Sequence, residues 1–311
     1  MKEWDVVVLG GANTDYLVRG QKLPAPGETV AGDTFQQAPG GKGANQAVAA
    51  ARLGARVALV ARVGADERGE EILARLAAEG VDTKQIVRDP TAPTGVALVQ
   101  VDAEGQKQIQ VAPGANHQLT VLDVISARSV LGAASVLLCQ LEVPIKCVMA
   151  TMRLVKEANA KVVLDAAPPT SLPDEVIGMV DVLRANEGEA EALTGVRVRD
   201  RASSRQAARR LLERGALAAV LAAGHEGNLL VWREAEVWLP KLPVNSIDTT
   251  GAGDAFAAAL AVMLAEGRTL VEAGTFANAA AAIATTVLGA QAGLPKREVV
   301  LRLLNEVNQH K

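Results

Sequence analysis

Short, unbroken apolar runs recur along the chain at residues 6–9, 57–60, 136–138, 162–164 and 218–221, and a run at 180–183 is interrupted only by Asp181. Each lies near a segment with helical spacing. A run that is apolar at every position has no solvent face, so it fits a strand covered on both sides. Strands of that kind alternating with helices predict an α/β fold with a mainly parallel sheet and right-handed crossovers. The first run ends in Gly10-Gly11. A glycine-rich turn at Gly40, Gly41 and Gly43 leads into a helix expected near 44–53, and another is expected near 68–79. From Asp248 onward the pattern turns helical, with an apolar helix at 255–265 and an Ala-rich one near 270–287. No repeat at solenoid or propeller periods is present.

Two segments break this alternation. Residues 13–39 hold no convincing helix, and residues 94–111 read as a hairpin: a strand at 96–101, a turn at 102–105 and a strand at 108–111. Two β insertions in an α/β core suggest a small sheet assembled from discontinuous pieces, placed as a cover over a site. The alternative is an edge extension of the main sheet.

Composition narrows the function. At 311 residues the chain has room for one large domain or two. Hydrophobic residues are 49% but aromatics only 2%, so the core must be built from Ala, Val, Leu and Ile. Lys+Arg number 32 against 35 Asp+Glu, a net charge of −3, which gives no reason to expect a nucleic acid or an anionic membrane as partner. The cysteines, Cys139 and Cys147, form no CxxC pair, which argues against a disulfide framework or structural zinc and for a reduced, cytoplasmic setting. Cys139 lies in an apolar run and reads as core. His117, His225 and His310 lack metal-ligand spacing. The run at 6–9 is too short for a signal peptide, and 255–265 is well short of the roughly 18 apolar residues of a membrane span. The Arg-bearing segment 203–214 reads as a solvated helix face.

Standard phosphate loops fail. Gly41-Lys42 is followed by Gly43 rather than Ser or Thr, and Gln36 stands where a Walker A loop begins with Gly. The dinucleotide fingerprint fails after the first strand and again at Gly41-Lys42-Gly43, and the protein-kinase signatures are absent. What remains is Asp248-Thr249-Thr250-Gly251-Ala252-Gly253-Asp254 at the head of a helix. Small residues let a substrate approach the backbone, and the free N–H groups of a first helical turn form an anion hole. Asp254 sits at its edge, placed to accept a proton; a helix N-terminus predicts a depressed pKa for it. The alternative is a helix cap over a tight turn. In the Gly40–Gln46 cluster, Lys42 and Asn45 offer donors suited to sugar hydroxyls, unless the loop only caps a helix. Asn13 and Asp15 follow the first strand, where ligands of open α/β sheets bind. Asn186-Glu187-Gly188-Glu189 fits either a phosphate or hydrated Mg²⁺ site or a helix cap.

Together these clusters resemble the ribokinase family of carbohydrate kinases, also called the PfkB family. The resemblance spans nearly the whole chain: Gly10-Gly11-Ala12-Asn13-Thr14-Asp15, Pro26-Gly27-Glu28-Thr29, Gly40–Gln46, Thr94-Gly95-Val96-Ala97, Gln140-Leu141-Glu142, Asn186–Glu189, Asp248–Asp254 and Gly289-Ala290-Gln291. The Asp-Thr-Thr-Gly-Ala-Gly-Asp run is highly specific for the family. The Gly40–Gln46, Glu142 and Pro-Gly-Glu-Thr runs look like its ribose-phosphorylating members rather than its fructose or adenosine kinases.

The resemblance implies a three-layer α/β/α, Rossmann-like domain from residues 1–12, 40–92 and 113–311, with a discontinuous β-sheet lid from 13–39 and 93–112. It implies transfer of the ATP γ-phosphate to the 5-hydroxyl of ribose; a deoxyribokinase or a non-catalytic sugar-binding protein of the same fold is the alternative. By position, Asn13, Asp15, Gly41, Lys42, Asn45 and Glu142 would hold the sugar, with Asp254 as base and Gly251, Ala252 and Gly253 as anion hole. Asn186, Ala222, Gly224, Gly227, Gly253 and Asn278 would meet nucleotide, and Glu189 would organise Mg²⁺ through water. Potassium would lie beside Asp248 and Thr250, with backbone ligands at Ala284, Val287, Gly289 and Gly293. A homodimer joined partly through the lids is also implied. The chain departs from the family pattern at Ala222, often Thr, at Gly293, often Ser, and at Ala166, often Pro.

Overall fold

In the computed structural model residues 2–233 and 235–309 are described, so His310 lies outside the described residues. The first half contains β1 (Trp4–Leu9), β2 (Asn13–Gly20), β3 (Gly32–Gly40), α1 (Lys42–Arg52), β4 (Val57–Gly64), α2 (Glu67–Ala78), β5 (Val81–Asp82), β6 (Ile86–Asp89), β7 (Gly95–Val101) and β8 (Lys107–Ala112). Then follow α3 (Val121–Ser126), α4 (Arg128–Gly132), β9 (Ala134–Cys139), α5 (Ile145–Glu157), β10 (Lys161–Asp165), α6 (Asp174–Ile177), β11 (Val182–Ala185), α7 (Glu187–Thr194) and α8 (Arg201–Glu213). Last come β12 (Ala218–Ala222), β13 (Asn228–Trp232), β14 (Ala235–Leu239), α9 (Ala252–Ala265), α10 (Leu270–Ala284) and α11 (Arg297–Gln309).

The main sheet has the order β14-β13-β12-β11-β10-β9-β1-β4-β5. It is parallel from β5 to β12, and β13 and β14 add an antiparallel edge that the apolar runs did not reveal. Along β1 the side chains alternate: Val6 and Val8 join the core under α1, α2, α9, α10 and α11, while Val7 and Leu9 join the core under α3 to α8. Burying each such side chain contributes about 1.5–3 kcal/mol. Helix α9 is buried nearly all round, with Phe256 among the largest fully buried side chains; a helix apolar on every side belongs inside a protein. Two expectations shift. The strand expected at 180–183 is Val182–Ala185, because Val180 packs in the core beside Ile177 before β11 begins. The helix expected to reach 287 ends at Ala284 with Thr285 as its cap.

Neither β insertion extends the main sheet. They join into a separate sheet of order β3-β2-β7-β8. Its register fixes two faces. Cross-strand partners share a face, and faces alternate along each strand. Tyr16, Val18, Phe35 and Leu98 share one face, and Asp15, Ala97, Val99, Lys107, Ile109 and Val111 share the other. Because the chain leaves β1 for β4 on one side and β9 pairs on the other, the order of the main sheet reverses at β1. The crevice beyond the carboxyl ends of β1 and β9 is where an open α/β sheet binds its ligand.

Candidate active site

Gly10–Ala12 leave β1 and Gln140–Glu142 leave β9, so both segments open onto that crevice. Gly41 caps α1 at φ 85°, and a Cβ there would lie 2.6 Å from Ala12 Cα and 2.7 Å from Asn13 N. Only glycine lets the two segments pass so closely. The Lys42 N–H then donates to Glu142 Oε2 at 2.8 Å. Asn13 is buried, and its Oδ1 accepts from Asn116 Nδ2 at 2.7 Å. Asn116, which the motif reading missed, also accepts from the Ala12 N–H at 2.9 Å and so pins the β1–β2 junction.

Asp254 lies in the first turn of α9, opposite α1. Its Oδ2 accepts from Asn45 Nδ2 and its Oδ1 from Gln46 Nε2, both at 2.9 Å. Gln291 Nε2 donates to Asn45 Oδ1 at 3.0 Å, which ties the Gly289-Ala290-Gln291 run to the same carboxylate. Gln46 Nε2 reaches Asp165 Oδ2 at 2.8 Å as well, and Gln46 Oε1 accepts from Gln140 at 2.5 Å. Arg184 donates to Asp165 Oδ1 at 2.9 Å, lies 3.7 Å from Glu189, and sets its guanidinium against Gly253. Asp165, Arg184 and the task of Gln46 escaped the sequence reading; the parallel pairing of Asp165 with Arg184 on β10 and β11 is what brings the charges together.

At the head of α9, Gly251 takes φ 82° and a Cβ on it would meet the Ala290 carbonyl oxygen at 2.7 Å. The expected anion hole is narrower than the motif suggested. The Ala252 N–H bonds the Thr249 carbonyl at 3.2 Å and the Ala255 N–H bonds that of Gly251 at 2.8 Å. Gly251, Gly253 and Asp254 are left as the open N–H donors here among the described residues.

The electrostatics correct one expectation. Asp254 is not depressed by the helix N-terminus. Burial raises its pKa, with Asp165 adding to the rise, while Lys42 and the bonds from Asn45 and Gln46 oppose it. Desolvation of a buried carboxylate outweighs a few partial charges. Burial also pushes Asp15 up to about 6, with Asp254 adding repulsion and Lys42 opposing. Glu142 is pushed up to about 7 by burial against the pull of Lys42. Asp254 and Asp165 in turn hold the Lys42 ammonium well above the ordinary lysine range, against the cost of its burial. Asp15 Oδ1 is buried without a hydrogen-bond partner. An unpaired buried carboxylate oxygen costs stability, and a ligand hydroxyl would satisfy it.

The remaining expected residues lie further round the rim. Asn186 caps α7: its side chain accepts from the Glu189 N–H at 2.9 Å, and Glu189 accepts from the Asn186 N–H at 2.7 Å. The helix-cap alternative for this run is therefore realised. Ala222 ends β12, and Gly224 and Gly227 flank the single helical turn before β13. Asn278 on α10 is held by Asn228 at 2.9 Å and the Pro240 carbonyl at 2.8 Å. Asp248 Oδ1 accepts from Thr250 N–H at 3.0 Å and Oγ1 at 2.6 Å, and Oδ2 accepts from the Gly289 N–H at 2.9 Å. Lys107 Nζ also donates to Asp248. Burial alone would raise this carboxyl, yet the bonds from Lys107, Thr250 and Gly289 outweigh it and hold it below the ordinary range. Ala284 closes α10, and Val287 and Gly289 lie on the loop that leads to Gly293. Among the described residues, no cluster of three or more His, Cys, Asp or Glu is placed to hold a metal ion, and no helix is long and apolar enough to cross a membrane.

Residues 4–297 match the model of the pfkB family of carbohydrate kinases. A ribokinase of Haemophilus influenzae is 38% identical over 299 residues, which cover 96% of this chain and 98% of the relative. A deoxyribokinase of Salmonella typhi is 32% identical over 295 residues, covering 94% and 96%. Among solved structures, a ribokinase of Arabidopsis thaliana complexed with ribose and ATP superposes with a TM-score of 0.88 at 34% identity, covering 96% of this chain and 98% of that one.

Proposed function

The chain belongs to the pfkB family of carbohydrate kinases, and on that premise we propose that it transfers the γ-phosphate of ATP to the 5-hydroxyl of D-ribose. The observation that carries the reading is the Asp254 carboxylate, buried at a helix N-terminus and clamped by Asn45 and Gln46. It faces a crevice where Asp15 keeps an unpaired oxygen. A solved relative at 34% identity holds ribose and ATP.

Ribose is taken to lie between Asn13, Asp15, Gly41, Lys42, Asn45 and Glu142, with its 5-hydroxyl at Asp254. Phosphoryl transfer has a loose transition state, so catalysis is mainly alignment and charge neutralisation. Asp254 takes the hydroxyl proton late. The open N–H groups of Gly251, Gly253 and Asp254 receive the γ-phosphoryl oxygens, and Arg184, packed on Gly253, adds a fixed positive charge beside them. The nucleotide is placed along Asn186, Ala222, Gly224, Gly227 and Asn278. Mg²⁺ would neutralise the ATP phosphates. Both Glu189 oxygens accept bonds from Asn186, which suits a partner reached through water. The reading also calls for one positive charge beside the anion hole, at Asp248 and Thr250, where the loop that carries Ala284, Val287, Gly289 and Gly293 closes.

The second sheet, residues 13–39 and 93–112, serves as the lid that excludes water, which otherwise competes for the phosphate. Its outer face exposes Val18, Phe35 and Leu98, with Phe35 at 65%. A patch of this kind on a lid fits a second copy of the chain. Phe35→Asp should convert a homodimer to monomer by light scattering; a wild type that is monomeric at tens of micromolar would remove the dimer from the account. The buried, unbridged thiols Cys139 and Cys147 suit a cytoplasmic setting.

The substrate assignment is tested by kcat/KM for ribose, 2-deoxyribose, fructose and nucleosides with ATP and Mg²⁺. Ribose should lead. A preference for 2-deoxyribose would move the chain to the activity named for the Salmonella relative.

A further inference from the structure

Lys107 opens β8, just past the hairpin turn of the second sheet. Its ammonium crosses to the loop that starts α9. Nζ donates to Asp248 Oδ1 and to Thr250 Oγ1, each at 2.5 Å. The Thr250 hydroxyl donates in turn to Asp248 Oδ1, so lysine, hydroxyl and carboxylate form a closed set of donors and acceptors. The Asp248 side chain is 5% exposed and that of Lys107 28%. This is therefore not a freely solvated surface pair of the kind that contributes little. Removing the lysine would leave the buried Asp248 carboxylate without its charged partner. Lys107 also shares its face of the sheet with Asp15, so both point toward the site.

Part of the oxygen set that would hold a free potassium ion is already spent in this arrangement. Both Asp248 oxygens are taken by protein donors. The Gly289 carbonyl already accepts from the Gly293 N–H at 3.2 Å. Position 293 offers no hydroxyl, and a Cβ there would run into the Ala284 carbonyl oxygen. A lysine ammonium is a compact monovalent charge with three donors, and here it occupies the carboxylate that a free cation would need.

We propose that Lys107, carried on the lid, supplies the positive charge beside the anion hole that the family resemblance assigns to potassium, so that lid closure itself completes the site. The proposal rests on the ribose-kinase reading for the site's purpose, but not for its test. Closing the lid neutralises Asp248 and fixes the loop that presents Gly253 and Asp254. An open lid removes that contact and leaves the loop held only by its bonds to Thr285 and Gly289.

The test needs no variant to begin. Wild-type protein should melt at the same temperature in potassium, sodium and tetramethylammonium chloride at equal ionic strength, and its kcat with ribose should agree within about twofold across the three. Lys107→Met should lose at least tenfold in kcat in tetramethylammonium. A potassium-specific rise in the melting temperature of the wild type, or in its kcat, would overturn the proposal. So would a Lys107→Met protein that keeps full turnover without any small monovalent cation. The melting series reads the cation site even if ribose were the wrong sugar, so the two readings fail separately.

Discussion

Asp254→Asn should lower kcat by about 10²- to 10⁴-fold, the range for loss of a general base, while the dissociation constant for ribose stays within a few-fold. The asparagine keeps the volume of the side chain and one oxygen to accept from Asn45 or Gln46, so the clamp around α1 and α9 survives in part. What it loses is the ability to take the 5-hydroxyl proton. Single-turnover kinetics and isothermal titration with ribose separate the two effects. The acid side of the wild-type profile follows from the same carboxylate. Burial raises its pKa, and the base works only when ionised. Activity should therefore fall with decreasing pH from a point above the ordinary Asp range of about 4. An acid limb at or below that range would mean that bound substrate restores the ordinary value.

Asp15→Asn should pull function and stability in opposite directions. In the free protein Asp15 is a half-buried carboxylate with one buried, unpaired oxygen, close enough to Asp254 for repulsion to raise its pKa. The amide removes the repulsion and the cost of burying a charge, so the free enzyme should melt at a higher temperature near neutral pH. The sign follows from linkage: a carboxyl whose pKa rises on folding, from 3.8 to about 6 here, makes the folded state bind more protons between those values. Stability contributed by that group is then lost as pH rises through the window. The gain in the variant should thus be present at pH 7 and vanish near pH 4. Ribose affinity should drop, because a hydrogen bond to a charged group contributes about 1.5–3 kcal/mol, about 10- to 150-fold. A variant that binds ribose as tightly as wild type would place the sugar elsewhere.

How much of this was legible in the sequence depends on the range of the contacts. The strands at 6–9, 57–60, 136–138, 162–164 and 218–221 were visible because burial on both faces leaves an unbroken apolar run. The head of α9 was visible because seven consecutive residues carry its chemistry. The β insertions were visible as a failure of helical spacing. The antiparallel β13 and β14 were not: β13 carries an apolar run at 229–232 that was overlooked, and β14 is partly exposed. Arg184 was hidden because a single Arg at the end of an apolar strand has no local signature; its meaning comes from pairing beside Asp165. Gln46 was quoted in a motif but given no task, since its two carboxylate partners lie 119 and 208 positions away. Lys107 was hidden for the same reason, 141 positions from Asp248. The pKa of Asp254 was misjudged because the helix N-terminus is local and readable, while the burial that overrides it is assembled from the whole fold.

The central claim is that Asp254 activates the 5-hydroxyl of ribose for attack on ATP. Its most direct test is the position of the phosphate in the product of a turnover with ribose, ATP and Mg²⁺, read by coupling of phosphorus to sugar protons in NMR. The account predicts coupling to the C5 methylene protons, and no product from 5-deoxyribose. Phosphate on the anomeric oxygen, or turnover of 5-deoxyribose, would contradict it.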